Sequence, residues 1–170
     1  MEKEIKQNKF DLKGESLASG LNAEEHFRKL AEARNWKVIE SPEYQDINEH
    51  WDFLLTKAIK VDVKAAKKIT RNDENIQHEW LWIEFKGVKD DGWLYGKADV
   101  IVFEREKEFW FVRRKELAKR AEELVDQKII VNTTREAKYK LYQRKGRRDL
   151  ISMIEFSKIE DLVIQRWQKN

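Results

Sequence analysis

The stretch VDVKAAKK, residues 61–68, places an acid and a lysine two positions apart inside an apolar run. Alternate side chains of a β-strand point to opposite faces, so Asp62 and Lys64 would share one face while Val61 and Val63 occupy the other. In a chain that is 39% charged, such a pair can be a surface ion pair. It can also be half of a metal-dependent site for phosphodiester hydrolysis. That chemistry needs two or three acids around a cation, and a positive charge near the attacking water or the scissile phosphate.

A second acid precedes this pair by ten residues. Asp52 stands between two aromatic residues in the run HWDFLLT. The alternation of apolar residues predicts two strands, 50–56 and 59–66, joined by a tight connection as a hairpin. A lone carboxylate in an apolar strand is costly to bury without a partner, and either a metal ion or Lys64 would relieve that cost. The hairpin would therefore bring both acids and the lysine together.

A third acid is predicted on a helix ahead of the hairpin. Apolar residues recur at helical spacing after Asn22, a suitable N-cap, and the pattern ends near Arg34. Glu24 lies at the start of the apolar face of this helix, whereas Glu25 is rotated toward solvent. We therefore favour Glu24 over Glu25 as the acid that reaches the site.

The order of these residues, a helix acid followed by D52-x9-D62-x-K64 on two strands, resembles the core motif of the PD-(D/E)XK nuclease superfamily. The resemblance covers about residues 22–112, and Trp51 stands where that motif has proline. It implies a restriction-endonuclease-like α/β fold, with a mixed central β-sheet flanked by helices in a single domain. It also implies a DNA endonuclease that depends on Mg²⁺ or Mn²⁺ and serves DNA repair, recombination or phage DNA processing.

The resemblance also implies a role for each residue of the motif. Asp52, Asp62 and the backbone carbonyl of Val63 would bind the metal ion. Lys64 would position or activate the attacking water and offset charge in the transition state, and Glu24 would hold a metal-bound water or a second ion. The sequence leaves open whether one or two ions bind, and whether the DNA is duplex, single-stranded or branched.

A further resemblance concerns the segment EFKGVKDDGWLYGKADVIVFE, residues 84–104, which is similar to a segment of small phage and other mobile-element nucleases of this superfamily. It makes Glu84 and Lys86 possible additional site residues; the alternative for each is a cross-strand ion pair at the sheet surface. Within the same segment, Trp93 and Tyr95 lie between two glycines. They either pack into the core from a structural turn or stack on an exposed base.

Basic residues cluster in two blocks along the second half of the chain. Each block is either a solvated face or a phosphate-binding surface. The predicted nucleic-acid contacts are Arg113, Arg114, Lys119 and Arg120 in the first block, and Lys140, Arg144, Lys145, Arg147 and Arg148 in the second.

The remaining elements complete a predicted α/β or α+β domain with one sheet and helices packed on it. We expect residues 1–21 to form a flexible arm and residues 22–170 to form the nuclease-like domain. A polar loop is expected after Pro42. The predicted elements beyond the hairpin are strands at 80–87, 98–103, 109–112, 128–131, 139–143 and 151–156, and helices at 115–125 and 158–166.

Composition narrows the chemistry further. The chain of 170 residues has no cysteine and three histidines, which excludes thiolate metal sites and leaves carboxylate ligands of the kind that Mg²⁺ and Mn²⁺ prefer. It contains no GxxxxGK(S/T) phosphate loop and no GxSxG nucleophile turn. No run approaches the roughly 18 apolar residues of a membrane span. These features predict a cytoplasmic protein of a bacterial, archaeal or phage-infected cell with no membrane partner.

Three alternatives remain open at this stage. The chain could be a non-cleaving nucleic-acid-binding module on the same fold, a nuclease that acts on RNA, or a protein that binds another protein. A homodimer is a further possibility, because many junction resolvases of this superfamily work as dimers.

Overall fold

The computed structural model describes residues 15–34, 36–56 and 59–169, with the backbone alone for residues 15–17. These residues form a single α/β domain with three α-helices and ten strands. Within this part of the chain, no helix has both the length and the apolar character needed to cross a membrane. The helices are α1 (Glu15–Ala33), α2 (Glu43–Glu49) and α3 (Arg114–Leu124). The strands are β1 (Val38–Glu40), β2 (Phe53–Leu55), β3 (Ile59–Lys64), β4 (Trp80–Lys86), β5 (Val100–Glu104), β6 (Glu108–Arg113), β7 (Asp126–Val131), β8 (Lys140–Gln143), β9 (Leu150–Glu155) and β10 (Val163–Gln168).

Six strands form a mixed sheet in the order β1-β2-β3-β5-β6-β10, which we call the acid sheet because it carries Asp62 and lies next to Asp52. Strands β2 and β3 pair antiparallel with Phe53 opposite Val61, so the predicted hairpin is confirmed. Strands β5 and β6 also pair as predicted. Strand β3 runs parallel to β5, with Lys64 opposite Phe103.

Four strands form a second sheet in the order β4-β9-β8-β7, which we call the basic sheet because the second basic block lies on it. The prediction of one sheet is therefore wrong. The position beside β3 is taken by β5, whose residues 100–103 are all buried. A central strand is covered on both faces, and β4 carries Glu84 and Lys86, which such a position would bury. Strand β4 pairs instead with β9, with Trp80 opposite Glu155.

The acid sheet is covered on both faces. Helix α1 packs its apolar face, centred on the fully buried Phe27, against one face. The other face packs against the basic sheet and α3, where Ile101 and Phe103 join Ile83, Leu117 and others in the larger core. Val61 and Val63 lie in the core beneath α1. Asp62 and Lys64 alternate with them and therefore face the space between the two sheets.

Helix α1 is of the predicted type but extends further toward the N-terminus. It is helical from Glu15, so Asn22 lies in its interior and is not the N-cap. Residues 1–14 of the predicted arm lie outside the described residues. The polar loop predicted after Pro42 is also wrong in part, because residues 43–49 form α2, none of whose side chains is buried.

The predicted helix at 158–166 is wrong. Two 3₁₀ turns, Phe156–Lys158 and Glu160–Leu162, lead instead into β10. Strand β10 pairs antiparallel with β6 at the edge of the acid sheet, with Trp167 opposite Phe109. Trp167 is buried between exposed neighbours, and its ring stacks on Phe27 with centroids 5.4 Å apart. Pairing with the open edge of β6 therefore overrides the local helical pattern.

Candidate active site

Strand β3 places the acid and the lysine of the motif side by side. Asp62 is 3% exposed, and its Oδ1 lies 2.5 Å from the Nζ of Lys64. The ammonium of Lys64 also sits over the ring of Trp93, 4.9 Å from the centroid. Asp62 and Lys64 are thus held on one face, and Lys64 lines a cleft between the two sheets.

Asp52 joins them from the residue just before β2. Its Oδ2 accepts a hydrogen bond of 2.6 Å from the backbone N–H of Val63. Its backbone N–H donates to the Val61 carbonyl at 2.8 Å, and its carbonyl accepts from the N–H of Ser41 at 2.8 Å. The N–H and C=O of one strand residue point to the same side, so the Val63 carbonyl faces the side where Asp52 lies. The structure therefore brings the three motif side chains and this carbonyl together.

Burial of two neighbouring acids shifts their protonation. Burial raises the pKa of Asp52 well above its usual value, and the charges of Asp62 and Glu24 raise it further against the opposing effect of Lys64. Burial likewise raises the pKa of Asp62, although Lys64 opposes it. Burial alone would lower the pKa of Lys64, but attraction to Asp62 and Asp52 outweighs it and the pKa is raised. The lysine is therefore a cation at neutral pH, beside two acids that are costly to ionise.

The residues fit a divalent cation in their chemistry. Asp62 Oδ2 is buried without a hydrogen-bond partner, and Asp52 lies close enough to repel it. Carboxylate and carbonyl oxygens are the ligands that Mg²⁺ and Mn²⁺ prefer. Among the described residues, however, no three histidine, aspartate or glutamate side chains are grouped so that they could hold a metal ion. The ligand set at hand is thus two carboxylates and the Val63 carbonyl.

Glu24 and Glu84 approach the site from opposite sides. Glu24 lies on α1, within electrostatic range of Asp52. Glu84 lies on β4 of the other sheet, within electrostatic range of Lys64, and its Oε2 accepts a hydrogen bond of 3.4 Å from the Trp93 N–H. Lys86, two residues further on, is exposed at the end of β4. The structure thus brings Glu84 within electrostatic range of the site and leaves Lys86 exposed at the end of its strand.

The glycine-bracketed turn forms the floor of the cleft. Residues Trp93–Tyr95 form a 3₁₀ turn, and a Cβ on Gly92 would lie 2.0 Å from the Glu84 carbonyl oxygen, so no other residue fits there without a backbone shift. Trp93 is buried, which agrees with packing into the core and leaves it unavailable for base stacking in this conformation. Tyr95 is at the surface, and its hydroxyl donates to Glu122 at 2.8 Å.

Helix α2 is a neighbour that the sequence reasoning missed. It places Asp46 and the following His50 within electrostatic range of Asp62. His50 ends the helix in the left-handed conformation, with φ 55°. The sequence did carry a signal for this helix: Pro42 precedes two acids in the first turn, a pattern typical of helix starts.

The first basic block is largely engaged within the protein. Arg114 donates to the carbonyls of Ala98 and Leu94 at 2.7 and 3.0 Å, which fixes the start of α3. Arg120 forms two hydrogen bonds with Asp161, at 2.9 and 2.7 Å. Arg113 pairs with Glu116 at 3.3 Å, and Lys119 is exposed.

The second basic block is more open to solvent. Lys140, Lys145 and Arg148 are exposed. Arg144 is paired with the completely buried Asp149.

The loop after β3 adds a cation that the sequence reasoning left unassigned. Lys67 lines the cleft next to Lys64, together with aromatic residues. The lining residues are Lys64, Ala65, Ala66, Lys67, Trp80, Leu81, Trp82, Trp93, Phe103, Glu104 and Phe156. A lysine in a run of alternating residues gives no sign in sequence that it will face a site formed by a distant strand.

Comparison of the chain with protein-family models, with curated proteins and with solved structures gives no match. The chemistry of the site is therefore argued from the residues and their geometry.

Proposed function

We propose that this protein is a Mg²⁺- or Mn²⁺-dependent endonuclease of the PD-(D/E)XK type that hydrolyses DNA phosphodiester bonds, on a restriction-endonuclease-like fold. One observation carries the proposal: Asp62 and Lys64 on β3 converge with Asp52, the residue just before β2, and a buried Asp62 oxygen has no hydrogen-bond partner. Structural ion pairs are ordinarily satisfied on both sides. A second buried acid and an unsatisfied oxygen indicate a site that takes a cation.

The residues have distinct roles in this proposal. Asp52, Asp62 and the Val63 carbonyl would hold the divalent cation, which supplies charge stabilisation and a more acidic bound water. Lys64 keeps its proton at neutral pH because its pKa is raised. It therefore serves as a hydrogen-bond donor and positive charge for the phosphate oxygens and the attacking water, not as a general base. Glu24 would orient a water or a second cation beside Asp52.

A cleavage assay with a matched control tests this function. Wild type, Lys64→Ala and Lys60→Ala are incubated with Mn²⁺ or Mg²⁺ on supercoiled plasmid, linear single strand, four-way junction and RNA. Lys60 lies on the same strand but pairs with Glu49 at 3.4 Å, so its loss removes the same charge away from the acids. We expect wild type and Lys60→Ala to cleave, and Lys64→Ala to be slower by about 10²- to 10³-fold, the usual loss for a transition-state donor.

Three results would overturn the proposal. Equal rates for wild type and Lys64→Ala would remove Lys64 from the chemistry. DNA binding without cleavage of any substrate by the wild type would make the protein a binding module, and cleavage of RNA alone would change the substrate.

A further inference from the structure

The loop that follows β3 holds its cations at the mouth of the cleft. The indole N–H of Trp82 donates to the Lys68 carbonyl at 3.2 Å. The side-chain amide of Gln77 donates to the carbonyls of Lys67 and Trp80, at 3.1 and 2.7 Å. These bonds tie the loop backbone to β4 of the basic sheet. The position of Lys67 beside the cleft is therefore set by both sheets.

The turn between β8 and β9 presents a second set of cations. Arg144 is held by Asp149, which has no exposed surface. The backbone N–H of Arg147 donates to the Arg144 carbonyl at 3.0 Å, and Gly146 closes the turn with φ 75°. A buried carboxylate thus fixes the guanidinium of Arg144, while the turn carries Arg147 next to it.

These two sets of cations lie close enough to repel one another. Burial lowers the pKa of Lys67, and the charges of Lys64 and Arg144 lower it further, against the opposing effect of Glu84 and Asp62. Burial also lowers the pKa of Arg147, with Arg144 and Arg71 adding to the effect and Asp149 opposing it. The loop, the turn and Lys64 therefore lie within electrostatic range of one another.

Acids compensate this region only in part. Glu84 and Asp62 act on Lys67, and Asp149 is paired with Arg144. Lys67 and Arg71 are exposed, and neither forms an ion pair with another described residue. Like charges that lie close together cost stability, and an external anion lowers that cost. The cations extend from the catalytic lysine to the outer turn of the basic sheet. A polyanion whose charges are spread along a strand fits that arrangement.

We propose that Lys67, Arg71, Arg144 and Arg147 form one phosphate-binding surface, which receives the sugar–phosphate backbone of a nucleic acid as it reaches Lys64. This inference rests on the proposed function for the identity of the ligand as a nucleic acid. It adds the surface along which that substrate would reach Lys64. It assigns binding to the basic sheet and the β3–β4 loop and excludes the block on α3, whose arginines are engaged within the protein. Because this surface contacts only phosphates, binding through it should not depend on the base sequence of the nucleic acid.

The test is a binding titration in EDTA, where no cleavage occurs. Fluorescence anisotropy of a labelled single-stranded oligonucleotide and of its duplex is measured against wild type, Lys67→Gln/Arg71→Gln and Lys115→Gln/Lys119→Gln, from 50 to 200 mM salt. Both double variants lose two positive charges from exposed positions, one pair at the proposed surface and the other on α3. Inorganic phosphate is added as a competitor in a parallel arm.

We expect the first double variant to bind roughly tenfold more weakly than wild type, with a shallower salt dependence by about 0.7 for each lost phosphate contact. The α3 variant should stay within about twofold of wild type on the same electrostatic reasoning. If the first variant fails to melt cooperatively, the single variants Lys67→Gln and Arg71→Gln replace it, because both residues are exposed.

Equal losses for the two double variants would overturn the inference, as would displacement of the oligonucleotide by millimolar inorganic phosphate. The outcome is separate from that of the cleavage assay. Weak binding by Lys67→Gln/Arg71→Gln without any cleavage by wild type would retain the surface and reject the nuclease. Cleavage by wild type, together with unchanged binding by this variant, would retain the nuclease and reject the surface.

Discussion

The two sheets of this protein carry groups of opposite charge. The acid sheet contributes Asp62, with Asp52 beside it, and both carboxylates are surrounded by protein. The basic sheet contributes Arg144 and its neighbours on a solvent-facing turn. Under the proposed function, the groups for bond cleavage lie on or beside the acid sheet, and those that would bind a polyanion lie on the basic sheet and the β3–β4 loop. Changes in the first region should then alter turnover, and changes in the second should alter affinity.

The largest effect should come from disturbing the place where the sheets are joined. Gly92 lies between β4 and the turn that carries Trp93, and its N–H donates to the Phe85 carbonyl at 3.1 Å. In Gly92→Ala the new Cβ would lie 2.0 Å from the Glu84 oxygen, so backbone must move. We expect a loss of about 3 kcal/mol in the free energy of unfolding, at the upper end for an overpacked site. Urea denaturation measures it.

Gly20→Ala is the matched control for this substitution. Gly20 lies inside α1, and its added Cβ would meet only a side-chain oxygen at 4.0 Å. Alanine is the better helix former, so stability should rise by about 0.5–1 kcal/mol. A stable Gly92→Ala variant with normal cleavage would show that the sheets are not coupled through this turn.

A smaller effect is expected from a substitution beside the acid sheet, at Asp52. In metal-free buffer Asp52→Asn removes a buried charge that burial and Asp62 disfavour, while its amide oxygen can still accept the Val63 N–H. We expect the melting temperature to rise by about 2–4 °C, the shift that about 1 kcal/mol gives in a domain of this size. Added Mg²⁺ should then stabilise the wild type more than the variant.

Differential scanning fluorimetry in EDTA and in Mg²⁺ reports both shifts, with the exposed Asp90→Asn as control. Equal Mg²⁺ shifts in wild type and Asp52→Asn would contradict a shared cation site.

The smallest effect concerns pH. The pKa of Asp52 is higher in the folded protein than in the unfolded chain, where it is about 3.9. The protonated side chain therefore contributes stability that is fully present below the unfolded pKa. That contribution is lost as the pH rises through the folded pKa. The stability gap between Asp52→Asn and wild type should therefore be small near pH 4 and widen toward pH 8 in EDTA. Melting curves across this range would refute the assignment if the gap stayed constant.

The sequence predicted the hairpin and its acids because their signals are local. Alternation in β2 and β3 and the ten-residue spacing of Asp52 and Asp62 are visible in one short window. The sequence could not predict the second sheet. The position beside β3 is covered on both faces, and local alternation does not show that β5 fits there while β4 pairs with β9. For the same reason Lys67 was left unassigned. Its position beside the cleft depends on hydrogen bonds that Gln77 and Trp82 donate to the backbone of its loop.

The pairing of Trp80 with Glu155 also sets an order of assembly during synthesis. The hairpin of β2 and β3 is made of neighbouring residues and can close soon after Lys64 has left the ribosome. The β4–β9 ladder has to wait until β9 has emerged, because domains fold as their segments become available. The two acids are thus in place long before the cations of the β8–β9 turn are fixed beside them. Under the proposed function, a nascent chain would bring its catalytic groups together before its phosphate-binding surface is complete.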